Sequence, residues 1–166
     1  RNTMLAMAGK LDRTVGGPSV PPGEASNRRS LYLLQRRDEP HEISQLFDGP
    51  TEMSASCAAR QVSTSAVQPL YLLNSPRVVS LSAALAQQVM QLAPEDRERQ
   101  VDLTFERVLG RAPLGEERKI ANEYFQAAVN ETTRTAQDDA SAEKSMTPLA
   151  KLSQAMMGLN EFIYVP

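Results

Sequence analysis

The chain has 166 residues, of which 41% are hydrophobic and 23% charged, and its formal net charge is −2. This length is enough for one domain with its own core, and the near-neutral charge excludes general nucleic-acid binding, which needs a basic surface. No apolar run reaches the roughly 18 residues of a membrane span. Aromatic residues make up 5% and Trp is absent, so the core must be built mainly from Leu, Val, Ala and Met.

The first third of the chain combines short helices with irregular segments. Residues 2–11 carry Met and Leu at helical spacing and predict the end of a helix. Residues 16–23 are rich in Gly and Pro, which break a helix. The apolar run 30–34 predicts a strand or a buried extended segment, and a small strand pair there stays open because so short a run does not separate the two. Residues 41–47 predict a short helix.

Two helices are predicted on either side of Ser75. The first is capped by Thr64 or Ser65 and runs through Asn74, and it either begins near Pro69 or kinks there; the second covers residues 76–92. Ser75 stands where an N-cap hydroxyl accepts from an exposed amide, and Pro76 has no amide to leave unpaired. The buried face of the longer helix is expected to consist of Val78, Val79, Leu81, Leu85, Val89 and Leu92, which recur at helical spacing.

A helical hairpin is predicted next, with helices over 94–109 and 115–133. Gly110 is placed to end the first helix in the left-handed conformation, and Pro113 completes the turn. The inner face of the second helix is expected to contain Ile120, Tyr124, Phe125 and Ala128. A last helix is predicted from the Thr147-Pro148 cap to about residue 163, followed by an apolar end that packs back onto the domain.

These elements together predict a mainly α fold, an irregular helical bundle of about five or six helices with a loop-rich N-terminal third. We predict one domain over residues 1–166. Within it, residues 1–63 form a loop-rich wrap and residues 64–166 form the helical bundle. Because the sequence begins with Arg1, we expect it to be a portion of a longer protein.

Side chains that perform chemistry are scarce in this sequence. One His and one Cys exclude a zinc site of nitrogen and sulfur ligands within the chain, and we predict neither a metal site nor a cofactor. Cys57 and His41 are the one conceivable nucleophile and base, but no motif surrounds them. We favour a packing role for Cys57 and predict no catalytic residue.

Arginines are the one concentrated charge feature. Arg28 and Arg29 precede the apolar run 30–34, and Arg36 and Arg37 follow it. Guanidinium groups bind carboxylate, sulfate and phosphate through paired hydrogen bonds. The predicted anion patch therefore consists of Arg28, Arg29, Arg36, Arg37 and Arg60. The alternative is that these arginines pair with nearby acidic residues.

Several irregular stretches resemble a known family. They are Gly16-Gly17-Pro18-Ser19-Val20, Asn27-Arg28-Arg29-Ser30-Leu31-Tyr32, Ser56-Cys57-Ala58-Ala59-Arg60, Leu109-Gly110-Arg111-Ala112-Pro113 and Asn160-Glu161-Phe162. The chain resembles the C-terminal part of the domain of unknown function 1553 family, found in large proteins of Planctomycetes and related bacteria. The resemblance implies export to the periplasm or cell surface and an upstream domain that carries haem in some relatives. It supplies no catalytic residue.

The leading functional hypothesis is a non-catalytic module of an exported multidomain protein, which docks on upstream domains of the same chain or binds a partner or glycan. The alternative is part of an enzyme that acts on acidic or sulfated polysaccharide, with its active site shared with upstream domains. In that case Arg28, Arg29 and Arg60 would hold the anionic substrate.

Overall fold

The computed structural model of the protein describes residues 1–21, 26–34, 42–47, 65–135 and 146–163. Its helices are α1 (Asn2–Met7), α2 (Glu42–Leu46), α3 (Val67–Asn74), α4 (Pro76–Leu92), α5 (Arg97–Val108), α6 (Gly115–Thr135), α7 (Pro148–Met157) and α8 (Asn160–Ile163), with one 3₁₀ turn at Ser30–Tyr32. These ranges contain no strand, only two isolated bridges. The predicted mainly α helical bundle is confirmed.

The core is built around α4, which packs most extensively on α7 and also contacts α1, α3 and α5. Leu5, Leu72, Leu85, Leu149 and Met157 are completely or almost completely buried and come from α1, α3, α4 and α7. Each such side chain contributes about 1.5–3 kcal/mol by leaving water. Helices from both ends of the chain therefore share one core.

Helix α7 also satisfies the end of α3. The Gln154 side-chain amide donates to the carbonyl of Leu73 at 2.7 Å and to that of Leu72 at 3.2 Å. The last carbonyls of a helix have no partner within it, and a buried carbonyl without a partner is costly. Gln154 is itself buried, so α3 ends correctly only when α7 is in place.

The predicted hairpin of α5 and α6 is present. Val101 and Phe105 of α5 and Phe125 of α6 are buried, and Gly110 takes the left-handed conformation with φ of +72°. Helix α5 begins three residues later than predicted, because Asp96 caps it by accepting from the backbone amide of Arg99 at 2.9 Å.

Two residues predicted on inner faces are exposed instead. Ile120 is 65% exposed, because the buried pair on α6 is Ala121 and Phe125, and a residue next to the first of these points about 100° away. Leu92 is also mostly exposed, and the adjacent Ala93 is buried where α4 ends.

The predicted capping role of the Ser75 side chain is wrong. Ser75 occupies the N-cap position of α4, but its hydroxyl makes no capping bond. Its backbone serves both neighbouring helices instead: its amide donates to the Tyr71 carbonyl at 2.8 Å, and its carbonyl accepts from the Val79 amide at 3.0 Å. Thr147 does cap α7, since its hydroxyl accepts from the Ala150 amide at 3.3 Å.

The run 30–34 is neither a strand nor continuously extended. Ser30–Tyr32 forms a 3₁₀ turn, and only the following Leu33 makes a bridge, to Val20. Leu33 is buried whereas Leu31 is largely exposed. Hydrogen bonds also hold the segment: the Val20 amide donates to the Tyr32 carbonyl and the Leu34 amide to the Val20 carbonyl, both at 2.8 Å.

The C-terminal helix is interrupted. It is divided at Gly158 into α7 and α8, whereas the sequence predicted one helix. Phe162 and Ile163 pack against the core as expected, and the rest of the predicted apolar end lies outside the described residues. None of the described helices combines the length and the apolar composition needed to cross a bilayer.

Candidate functional site

Arg28 fastens the glycine–proline loop rather than standing free. One of its guanidinium nitrogens donates to the Pro18 carbonyl at 2.8 Å and another to the Gly16 carbonyl. The guanidinium lies 3.9 Å from the centre of the Tyr32 ring, and the Tyr32 hydroxyl accepts from the Gly16 amide at 2.9 Å. We call Arg28, Tyr32 and residues 16–18 the loop clasp.

The glycines of the loop clasp are required by its backbone. Gly16 and Gly17 have φ of +83° and +82°, a conformation that other residues adopt at a cost. A side chain at position 17 would also touch the Arg28 guanidinium, at 3.7 Å. The Gly-Gly-Pro and Arg-Arg-Ser-Leu-Tyr stretches thus form one structural unit.

Of the other members of the predicted anion patch, Arg29 alone lies within the described residues. Arg29 is exposed at the start of the 3₁₀ turn. Arg36, Arg37 and Arg60 lie outside the described residues, as do His41 and Cys57. The anion patch therefore stays a prediction, and within it Arg28 already uses two nitrogens to bind backbone carbonyls.

Two arginines that the sequence did not single out converge on the same segment. Arg1 donates to the carbonyls of Ser26 at 2.5 Å and Arg28 at 2.7 Å. Arg77 donates to that same Ser26 carbonyl at 2.7 Å and to the Asn27 side-chain oxygen at 3.3 Å. We call Arg1 and Arg77 the arginine pair.

The arginine pair has no carboxylate beside it among the described residues, whose ion pairs involve other cations. Burial lowers the pKa of the Arg1 guanidinium, and the positive charge of Arg77 lowers it further. One feature of the sequence could have identified the arginine pair. Arg77 lies in the first turn of a helix, where a cation is unfavourable, and no acidic residue accompanies it.

A third cluster joins the α5–α6 turn to α8. Arg111 donates two parallel bonds to Glu117, at 2.7 and 2.8 Å, and two more to Glu161, at 2.6 and 2.8 Å. Glu117 also accepts from the Leu114 amide at 2.7 Å. We call Arg111, Glu117 and Glu161 the carboxylate clamp.

The carboxylate clamp keeps its acids ionised. Hydrogen bonds from Arg111, and then from the Leu114 amide, lower the pKa of Glu117 to about 2. The pKa of Glu161 is also lowered, chiefly by Arg111, and the pKa of Arg111 is raised by Glu117 and then by Glu161. A general acid or base must exchange its proton near neutral pH, so this cluster suits a structural role.

Other chemistry finds little support in the described part of the chain. No three His, Cys, Asp or Glu residues there lie close enough to hold a metal ion. A groove of about 500 Å³ runs along α6, and it is lined by Gly115, Arg118, Lys119, Asn122, Glu123 and Gln126. None of the predicted site residues lines it.

The comparison with protein families establishes the family to which the chain belongs. The family described as "Protein of unknown function (DUF1553)" matches residues 1–125. The chain belongs to this family. No curated protein and no solved structure matches the chain.

The matched part of this DUF1553 chain includes the loop clasp, the arginine pair, and Arg111 and Glu117 of the carboxylate clamp. Glu161 and all of α7 lie beyond it. The DUF1553 match therefore ends before the helix that completes the core, and the family description assigns no activity to any of these clusters.

Proposed function

We propose that this DUF1553 chain is a non-catalytic helical module of a larger exported protein, and that it docks on an upstream domain of that protein through the outer face of α3. The observation that carries the proposal is the exposure of three aliphatic side chains. Val67, Leu70 and Leu73 are 53%, 56% and 51% exposed, and they recur every three residues along one helix. An exposed row of this kind is typical of a helix that contacts another protein surface.

The inner face of α3 is firmly held, so its outer face is a fixed surface. Leu72 and Gln68 are buried, and the Gln68 amide donates to the Leu46 carbonyl of α2 at 2.9 Å. Helix α3 contains no charged residue that would oppose burial of its outer face.

The expected strength of this contact is modest. Completing the burial of three half-exposed aliphatic side chains contributes about 2–4 kcal/mol, taking half of the full value for each. Such a contact between separate molecules would be weak. Within one polypeptide the effective concentration reaches the millimolar range, and a Kd of about 1 mM corresponds to about 4 kcal/mol. These three side chains alone would therefore keep the surfaces together for at most about half of the time, and stable docking needs further contacts around them.

A non-catalytic role is supported by the use of the buried amide side chains. Gln68, Gln100 and Gln154 are buried, and each donates to a backbone carbonyl of a neighbouring segment. These donated bonds stabilise connections between helices. Export and the upstream domain, which we expect to carry haem in some relatives, rest on the family resemblance.

The proposal is tested by thiol labelling of the intact protein and of this chain alone. In a Cys57→Ala background, the Leu70→Cys variant should react with a maleimide in the isolated chain and be protected in the intact protein. The Leu114→Cys variant is the matched control, because Leu114 is also largely exposed but lies in the α5–α6 turn. Equal labelling of the Leu70→Cys thiol in both proteins would show that α3 does not dock.

A further inference from the structure

We infer that the arginine pair is a binding site for a phosphate or sulfate oxyanion, either free or as a sugar ester. This site is separate from the outer face of α3 and does not depend on the docking proposal. The residues that would bind the anion are Arg1 and Arg77, with the Asn27 side chain beside them.

Two positive charges share a single neutral acceptor at this position. Both guanidinium groups donate to the Ser26 carbonyl, at 2.5 Å from Arg1 and 2.7 Å from Arg77, so the groups lie side by side. Like charges at such separation repel each other, and a carbonyl does not neutralise them. An oxyanion does, and its several oxygens match the donors of two guanidinium forks.

The need to hold the segment 26–30 in place does not by itself explain why two charged arginines are used there. Elsewhere in this chain a neutral amide is sufficient to hold a carbonyl, as Gln100 holds that of Ala93 at 2.7 Å and Gln154 that of Leu73 at 2.7 Å. A purely structural contact would be made at lower electrostatic cost by Gln at position 77. Arg28 also holds two backbone carbonyls, but it does so alone. The feature that indicates recognition of an anion is the placement of two guanidinium groups on one carbonyl.

Arg77 has donors that the described residues do not use. Its Nε is enclosed and makes no hydrogen bond within the described part of the chain, and its bonds to Ser26 and Asn27 both come from one terminal nitrogen. An enclosed donor without a partner calls for a ligand or water. Because the Arg28 Nε is enclosed in the same way, the site is defined by its two adjacent guanidinium groups and not by this atom alone. Arg77 as a whole is only partly buried, so a small ion can approach it.

No carboxylate among the described residues forms an ion pair with either arginine. The Ser30 hydroxyl accepts from an Arg1 guanidinium nitrogen at 3.4 Å and donates to the Asn2 side-chain oxygen at 2.8 Å, whereas the Asn27 side chain is exposed at the same edge. The first turn of α4 carries no acidic residue, so its positive end reinforces the field of Arg77. This helix end supports the site, but the two guanidinium groups define it.

The test is calorimetric titration with sodium sulfate and with glucose 6-sulfate, at constant ionic strength balanced by sodium chloride. We expect saturable 1:1 binding by the wild-type chain. Equal affinity for the two probes would identify the free ion as the ligand, and tighter binding of glucose 6-sulfate would identify the sugar ester. Both results support the oxyanion site.

The variants separate this site from general salt effects. Arg77→Gln should weaken sulfate binding about tenfold or more, since a charge-assisted hydrogen bond is lost. Arg77→Lys should fall in between, because it keeps the charge but loses the planar fork. Lys119→Gln is the matched control, since it removes one charge from a highly exposed side chain on α6 and should leave binding unchanged.

Two results would overturn the inference. The first is no saturable binding of either probe by the folded wild-type chain. The second is an equal affinity of wild type and Arg77→Gln, with the melting curve showing that the variant is folded. If Arg77→Gln does not fold, the comparison of Arg77→Lys with Lys119→Gln decides, since unchanged binding by Arg77→Lys would reject recognition by a guanidinium fork.

Discussion

Replacement of Gly9 by Ala should destabilise the protein through two separable effects. Gly9 follows α1 with φ of +62°, and a side chain there would lie 2.7 Å from the Gln88 amide nitrogen. That nitrogen donates to the Ala8 carbonyl at 2.5 Å, and the Gln88 oxygen accepts from Arg107 at 2.8 Å. The new methyl group would therefore displace a side chain that links α1, α4 and α5.

The expected loss in the free energy of unfolding is the sum of the two effects. The left-handed conformation costs an Ala residue about 1–2 kcal/mol, and loss of the Gln88 hydrogen bond costs about 1 kcal/mol. The lower entropy of the unfolded Ala chain offsets about 0.5 kcal/mol. We expect Gly9→Ala to lower the free energy of unfolding by about 2 kcal/mol, which for this size lowers the melting temperature by about 4–8 °C.

Gly110→Ala is the matched control for the backbone effect. Gly110 also follows a helix and has φ of +72°, but a side chain there would meet no atom within 4 Å. Urea unfolding of both variants should show a loss of about 1 kcal/mol for Gly110→Ala, near half of that for Gly9→Ala. In a Gln88→Ala background the two losses should become equal. Equal losses in the wild-type background would refute the proposed clash with Gln88.

Three further predictions concern the core, the carboxylate clamp and the caps. Leu85→Ala should cost about 3–5 kcal/mol in urea unfolding, because Leu85 is fully buried in α4; a loss below about 1 kcal/mol would contradict that packing. Arg111→Gln should be less stable than wild type at neutral pH, and the difference should shrink as the pH falls from about 4.5 towards 2. The reason is that Glu117 has its pKa lowered from 4.5 to about 2, so its contribution is present above the unfolded pKa and is lost on protonation; a pH-independent difference would exclude this pairing. Thr147→Ala should cost about 1 kcal/mol, whereas Ser75→Ala should cost less because its hydroxyl makes no capping bond; the reverse order of melting temperatures would contradict the cap assignment.

Local patterns predicted the features that depend on neighbouring residues in sequence. The helical spacing of Leu85 and Val89 identified the buried face of α4, and Gly110 was correctly placed at the end of α5. The Thr147 cap was found because its partner is only three residues away. In each case the decisive interaction lies within one helical turn.

Features that depend on distant residues were not predictable in this way. Arg111 and Glu161 are 50 residues apart, and no spacing rule connects them, although both belong to stretches that carried the family resemblance. Arg1 and Arg77 meet only because α1 and α4 pack together. Ile120 was misplaced because periodicity alone does not decide which of two adjacent stripes faces the neighbouring helix.

The position of α7 within the core has a consequence for how the chain is made. Residues 148–157 are synthesised well after α4, yet they cover it and provide the Gln154 amide that completes α3. Until they leave the ribosome, the apolar face of α4 stays uncovered, and synthesis at about 5–20 residues per second prolongs that interval by several seconds. The nascent protein should therefore be a substrate for chaperones until α7 has emerged, and a fragment that ends at residue 125 should bind them persistently.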